Sequence, residues 1–193
     1  MASGSYTESY KDLYHGTIQE FATNIISTQK FNPSKQGWCG SGVYFYDNKS
    51  KAWWSANRTF TEQRKLGKIS DPTVVVADIN SICKSRILDL RAPFDLKSFA
   101  DFVDTFLLQF DFDIQEELSP EELLKTKRAM LLSFYCEENG IQLIIGYFKQ
   151  QAQDKVDSHK EFADAWQLAI GIETIYCAKD PKIICNIRDI RRR

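Results

Sequence analysis

The spacing of hydrophobic and polar residues along the chain alternates between two periods, and each period predicts a different element. Runs of β-branched and aromatic residues bounded by turn residues predict strands. Apolar residues that recur every three to four positions predict helices with one buried face. The predicted strands are 13–16, 43–46, 73–79, 86–90, 172–177 and 182–187, and the predicted helices are 17–26, 48–65, 95–110, 120–139 and 162–170.

Polar residues mark where three of these helices begin. Residues 17–20 (Thr-Ile-Gln-Glu) and residues 119–122 (Ser-Pro-Glu-Glu) both have the spacing of a capping box, the second with proline at the first helical position. Asp47 or Asn48 is the expected N-cap of the helix that follows the strand at 43–46. We therefore predict side-chain caps at all three helix starts.

Two parts of the pattern concern how the elements pair. The apolar run at 141–148 has the length of a strand but fits the beginning of another helix equally well. The last two predicted strands are separated only by a turn at Asp180-Pro181, so we expect them to form an antiparallel pair.

The order of the elements predicts an α+β domain. Strands lie at both ends and in the first half of the chain, and a helical block at about 95–170 separates them. The sequence shows no internal repeat and no low-complexity linker, and 193 residues suffice for one core. We expect a single domain over residues 1–193.

Composition favours a cytoplasmic protein. Residues 1–6 lack the basic and apolar regions of a signal peptide, and no apolar run approaches the length that crosses a bilayer. The five scattered cysteines are expected to be reduced core residues, so we expect no disulfide. Only two histidines are present, so we expect no metal site. Since no apolar run is long enough to cross a bilayer, we also expect no membrane partner. The net charge is −1, and the basic clusters around Arg58 and Arg188 are expected to be solvated.

One stretch combines features of a ligand site. Three glycines within six residues precede the aromatic strand that contains Tyr44, and a helix with adjacent tryptophans follows. Glycine lets the backbone approach a ligand closely. Trp53 shares the core side of this helix, whereas Trp54 shares a face with Arg58 and Thr61, so Trp54 is the better candidate for a ligand wall. The alternative is a hairpin corner with aromatic core residues.

His15 stands at the end of a predicted strand, directly before a helix N-terminus. Backbone N–H groups are unpaired there and favour polar ligands. This makes His15 a candidate for binding a polar ligand.

Taken together, His15-Gly16-Thr17, the stretch 40–45 (Gly-Ser-Gly-Val-Tyr-Phe) and the late Glu173 resemble the ADP-ribosyltransferase family. The resemblance is to its poly(ADP-ribose) polymerase-like branch, which carries a His-Tyr-Glu triad, and it covers about 11–60 and 171–190. It implies a split β-sheet with a helical insertion and NAD as the substrate.

The resemblance also implies a role for each residue. Glu173 would stabilise the positive charge that develops on the ribose as nicotinamide leaves, Tyr44 and Trp54 would sandwich the nicotinamide ring, and His15 would bond the adenosine ribose. The backbone of Gly16 would bond the carboxamide.

Three further positions follow from the same comparison. Thr17 stands where serine is commoner in the family. The serine that helps to hold the carboxamide is Ser50, or it is absent with Lys51 in its place. Gly171 stands two residues before Glu173, where arginine-modifying members carry Glu or Gln, so arginine is disfavoured as the target.

The expected function is therefore NAD-dependent mono-ADP-ribosyl transfer to a protein, RNA or DNA acceptor that the sequence does not name. Small free-standing members of this kind resemble toxins of toxin-antitoxin or anti-phage systems, which implies an antitoxin protein as a partner. The alternatives are an NAD glycohydrolase and a non-catalytic module that binds a nucleotide or partner. The RNA 2′-phosphotransferase relatives are disfavoured, because the sequence has no matching arginine and histidine set.

Overall fold

The computed structural model describes residues 6–35, 37–109, 119–149 and 172–190. The strands are β1 (Thr7–Ile18), β2 (Val43–Tyr46), β3 (Pro72–Cys83), β4 (Ile87–Asp89), β5 (Leu143–Lys149), β6 (Ile172–Ala178) and β7 (Ile184–Asp189). The helices are α1 (Gln19–Thr28), α2 (Lys49–Lys65), α3 (Pro93–Gln109) and α4 (Pro120–Asn139).

The seven strands form one mixed sheet in the order β4-β5-β6-β2-β1-β3-β7. β4 and β5 are parallel, and every other neighbouring pair is antiparallel. The predicted α+β class is confirmed at this level.

The pairing between the two central strands, β1 and β2, is short. β2 and β6 share four successive partner pairs, from Val43↔Ala178 to Tyr46↔Ile175, and β1 pairs with β3 along almost its whole length. β1 and β2 share only Tyr14↔Tyr46. The two halves of the sheet are therefore joined by a single residue pair between these central strands.

Alternate residues of the central strands enter two different hydrophobic clusters, as expected when successive side chains point to opposite faces. One cluster takes Leu13 and Phe45 and includes residues of α1. The other takes Tyr14 and Tyr46 and includes residues of α2 and α4. The sheet is thus covered on both faces.

Two of the three predicted helix caps are confirmed. The Asn48 side chain accepts a hydrogen bond from the Ser50 N–H at the start of α2, and Ser119 and Glu122 form the capping box of α4. The predicted box at Thr17 is wrong. Thr17 is a buried residue of β1, and α1 starts at Gln19 without a side-chain cap.

The loop before β3 supplies the hydrogen-bond acceptors for the first two N–H groups of α1. Gln19 N donates to the Asp71 carbonyl at 2.8 Å, and Glu20 N donates to the Ser70 hydroxyl at 3.0 Å. Because both acceptors lie on the loop before β3, local sequence around Thr17 contained no sign of them.

Two predictions for the second half of the chain are wrong. The run at 141–148 contains a strand, β5, which lies between β4 and β6, so the block at 95–170 is not wholly helical. The two last strands exist but do not pair with each other, because β6 pairs with β2 and β5 while β7 pairs with β3. The predicted helix at 162–170 lies outside the described residues.

None of the five cysteines, which all lie in the described ranges, forms a disulfide, and Cys39, Cys136 and Cys177 are buried. None of the helices in the described ranges is long and apolar enough to cross a membrane.

Candidate functional site

Where β1 and β2 separate, the His15 side chain bonds to the backbone of β2 in place of a backbone–backbone hydrogen bond. Its Nδ1 lies 2.8 Å from the carbonyl oxygen of Tyr44. A carbonyl only accepts, so Nδ1 carries the proton and Nε2 of the neutral ring is an acceptor. Burial lowers the pKa of His15, and the bond to the Tyr44 carbonyl opposes this only in part. The ring is therefore neutral near pH 7.

Two aromatic rings fix the orientation of the imidazole. The centroid of Phe31 lies 5.1 Å from that of His15 with the planes at 74°, and Phe45 lies 5.8 Å away. Phe45 is fully buried. His15 is thus held by one hydrogen bond, an edge contact with Phe31 and a tilted contact with Phe45, which together restrict its side-chain rotamers.

Gly16 permits the closest approach in the site. A Cβ at this position would lie 2.0 Å from the Ala52 carbonyl oxygen and 2.6 Å from the Ala56 nitrogen. α2 therefore packs directly on the backbone of β1, and only glycine allows it. Thr17, next along β1, is 4% exposed.

Tyr44 is held by the loop at 37–42. Its hydroxyl accepts a hydrogen bond from Cys39 N at 3.0 Å and donates one to the Gly40 carbonyl. A Cβ on Gly37 would lie 2.4 Å from the phenol ring, so the loop backbone lies directly against it. Burial raises the pKa of Tyr44. Its phenol is neutral and its hydroxyl is occupied within the protein.

Two cations from distant parts of the chain hold the same loop. Arg128 Nε donates to the Trp38 carbonyl at 3.1 Å, and Lys179 Nζ donates to the Cys39 carbonyl at 3.1 Å. Together with Tyr44, they hold three successive loop carbonyls. Sequence reasoning missed both cations, because neither belongs to a motif and they are 90 and 140 residues from their partners.

Cys39 and Cys177 form a buried thiol pair beneath this loop. Both are fully buried, and Cys177 is the β6 partner of Tyr44. The hydrogen bond to Cys177, together with burial, raises the pKa of the Cys39 thiol. These thiols are packing residues of the loop and lack the exposure of a reactive cysteine.

Glu173 lies on the next strand of the sheet. It belongs to β6, where its register partner on β5 is Phe148. It is four residues from Cys177, the partner of Tyr44, which is about 13 Å along a strand. Its backbone therefore lies two residues beyond Ile175, the β6 partner of Tyr46 at the end of β2. Ser50 is in the first turn of α2 and is exposed.

The two tryptophans of α2 have different environments. Trp53 packs against the cluster that also contains Tyr44. Trp54 is 39% exposed, and it is two residues from Ala52 and from Ala56, both of which contact Gly16. At 100° per residue, Trp54 therefore lies on the opposite side of α2 from Gly16. The His15 ring bonds the backbone carbonyl of Tyr44, but it packs with Phe31 and Phe45 of one cluster while the Tyr44 ring packs against the other, so the two side chains lie on opposite faces of the sheet. Trp54 lies apart from Gly16, on the far side of α2.

In the described ranges, no three histidine, cysteine or acidic side chains are close enough to bind one metal ion. In comparisons with protein-family models, with curated proteins and with solved structures, no significant match to this chain was found.

Proposed function

We propose that this chain is an NAD-dependent mono-ADP-ribosyltransferase that acts on a macromolecule (protein, RNA or DNA). One observation carries the proposal. β6, β2 and β1 are consecutive in the sheet, and they carry Glu173, Tyr44 and His15 respectively. The three residues of the family triad are distant in the sequence, yet they come from three adjacent strands.

The proposed reaction breaks the bond between ribose C1′ and the nicotinamide nitrogen. The electron pair leaves with nicotinamide, and positive charge develops on the ribose. Glu173 would accept a hydrogen bond from the 2′-hydroxyl and stabilise that charge where it appears. A nucleophile of the acceptor then bonds to C1′ and loses its proton.

His15 is suited to binding a ribose hydroxyl. Since Nδ1 is committed to the Tyr44 carbonyl, the neutral ring offers Nε2 as an acceptor, which is the group that a hydroxyl donor requires. The lowered pKa keeps that nitrogen unprotonated at neutral pH. His15 would therefore orient the substrate without taking part in proton transfer.

Tyr44 would supply one aromatic wall for the nicotinamide ring. Its hydroxyl is already bonded to the loop, so the phenol ring alone would make the contact. Trp53, which belongs to the same cluster, is better placed than Trp54 to contribute the second wall.

The test is incubation of the purified chain with NAD labelled in the adenylate, in separate protein, RNA and DNA fractions. We expect one fraction to take up label as nicotinamide is released. Glu173→Gln should abolish both, while Glu138→Gln, an exposed glutamate at the end of α4, should change neither. Absence of nicotinamide release by the folded wild-type chain with every fraction would overturn the proposal.

The same experiment separates transfer from hydrolysis. Free ADP-ribose without labelled macromolecule would identify an NAD glycohydrolase, in which water attacks the same carbon. We further propose that the chain acts as a toxin. Induced expression should then arrest growth, and Glu173→Gln should relieve the arrest at equal protein level.

A non-catalytic nucleotide-binding module is a second candidate, and one observation favours it. The ring and hydroxyl of Tyr44 both contact the loop at 37–42, which restricts the surface that the ring offers to a ligand. Binding of NAD by calorimetry without release of nicotinamide would support this candidate.

A further inference from the structure

The outer face of α2 has an unusual composition for a solvated helix surface. Trp54 is 39% exposed there, and Arg58, Thr61 and Lys65 follow it at i+4, i+7 and i+11, all on the same face. A tryptophan that is exposed on a polar face is typical neither of a hydrophobic core nor of an ordinary solvated surface. The row from Trp54 to Lys65 is about 16 Å long.

The charge of α2 also differs from that of the rest of the protein. The helix has five basic residues and one acidic residue, whereas the whole chain has a net charge of −1. Each of the other three helices in the described ranges has more acidic than basic residues. Positive charge is therefore concentrated on this helix.

The one acidic residue of α2 does not neutralise the face. Glu62 pairs with Arg58 at 3.0 Å, and the two side chains are 57% and 60% exposed. Exposed ion pairs of this kind contribute little, so Arg58 can exchange the carboxylate for another anion. Arg64 and Lys65 are also exposed, in the last turn of the helix.

We infer that the outer face of α2, formed by Trp54, Arg58 and Lys65 with Arg64 at its edge, binds single-stranded nucleic acid. Phosphates would contact the three cations, and an unstacked base would stack on Trp54. A duplex keeps its bases stacked and offers no partner for that ring. This inference does not depend on the proposed NAD chemistry.

An acidic peptide and an anionic membrane surface would also complement the positive charge of α2, but neither accounts for the exposed Trp54. The acidic side chains that would pair with the cations of a peptide-binding face carry no flat ring to stack on Trp54. A membrane surface would use apolar residues, and the exposed Leu66 and Ile69 lie beyond the end of the helix, outside the row that begins at Trp54. The position of the aromatic ring among the cations therefore favours a nucleic acid.

The test measures binding by fluorescence anisotropy, without NAD, to labelled single-stranded RNA and DNA of mixed sequence, about 12 nucleotides long. Three phosphate contacts give a salt slope of about −2, so affinity should fall about 20-fold between about 50 and 200 mM salt. Arg58→Gln/Lys65→Gln should weaken binding about tenfold or more and reduce the slope to about −0.7. Lys30→Gln/Lys97→Gln, which removes two exposed cations outside α2, should change neither.

Trp54→Ala should weaken binding about tenfold without changing the salt slope, because stacking releases no counterions. Trp54→Phe should restore part of the affinity. Circular dichroism of each variant verifies its fold.

The inference is overturned if neither RNA nor DNA binds at about 50 mM salt, or if the α2 variants bind as the wild type does. It is also overturned if a duplex binds as well as a single strand and Trp54→Ala has no effect. Binding only to phosphatidylserine vesicles would assign the face to a membrane, and binding only to polyglutamate would assign it to an acidic protein.

Discussion

The packing of α2 on β1 makes a quantitative prediction for Gly16→Ala. The added Cβ would lie 2.0 Å from the Ala52 carbonyl oxygen, whereas ordinary contact begins at 3.4 Å. The second obstacle, the Ala56 nitrogen, is also a backbone atom. Because neither can rotate away, the helix must move by about 1.4 Å from the strand, which is the difference between these two distances.

Overpacking of a close contact costs about 1–3 kcal/mol, and obstruction by backbone atoms of two α2 residues puts Gly16→Ala at the upper end, at about 3 kcal/mol. For a chain of this size, that is a fall in Tm of about 6–12 °C. A typical domain has a free energy of unfolding of about 5–15 kcal/mol, so the variant should still fold.

The assay is urea unfolding followed by circular dichroism, with Gly67→Ala as the matched control. Gly67 has φ +79° and open space around its Cβ position, so its substitution tests left-handed strain alone, at about 1 kcal/mol. We expect Gly16→Ala to be destabilised by clearly more than Gly67→Ala. An equal or smaller loss at Gly16 would refute the direct packing of α2 on β1.

Three further predictions concern single residues. Since burial lowers the pKa of His15 below its ordinary 6.5, the unfolded state binds more protons as the pH falls through that value. The free energy of unfolding should therefore fall on acidification, and pH-dependent urea unfolding should show a smaller fall in His15→Gln; equal slopes would contradict this. Tyr44→Phe leaves Cys39 N and the Gly40 carbonyl without their partner, so it should cost about 1–3 kcal/mol and speed hydrogen exchange of the Cys39 amide; an unchanged exchange rate would argue against the bond. Ser119→Ala removes the α4 cap and should cost about 1 kcal/mol in urea unfolding, whereas no loss would mean that the cap is not formed in solution.

Elements that depend on neighbouring residues were predictable from the sequence. The cap at Ser119 was identified, and that of α2 was narrowed to Asp47 or Asn48, because a cap and its partner are two or three residues apart. Thr17 misled the same reasoning, because the strand continued through it to Ile18 and acceptors from the loop before β3 replaced its cap.

The candidate site divides in the same way. The glycines near His15 and Tyr44 predicted a close approach of the backbone to a ligand, whereas in the structure α2 packs on Gly16 and the loop at 37–42 packs on Tyr44. The sequence could not show that α2 and the loop at 37–42 are what approach them. Arg128 and Lys179, which hold that loop, have no local pattern and meet it only through the fold.

By itself, the sequence determined the periodicities, and hence most of the strands and helices, because side-chain period and capping act over a few residues. Only the tertiary structure decided which strands pair, that β5 lies between β4 and β6, and that His15 joins β1 to β2 through the Tyr44 carbonyl. Strand pairing and loop contacts are settled by which distant surfaces bury the most apolar area together. That balance belongs to the whole chain, and no short stretch of it contains the answer.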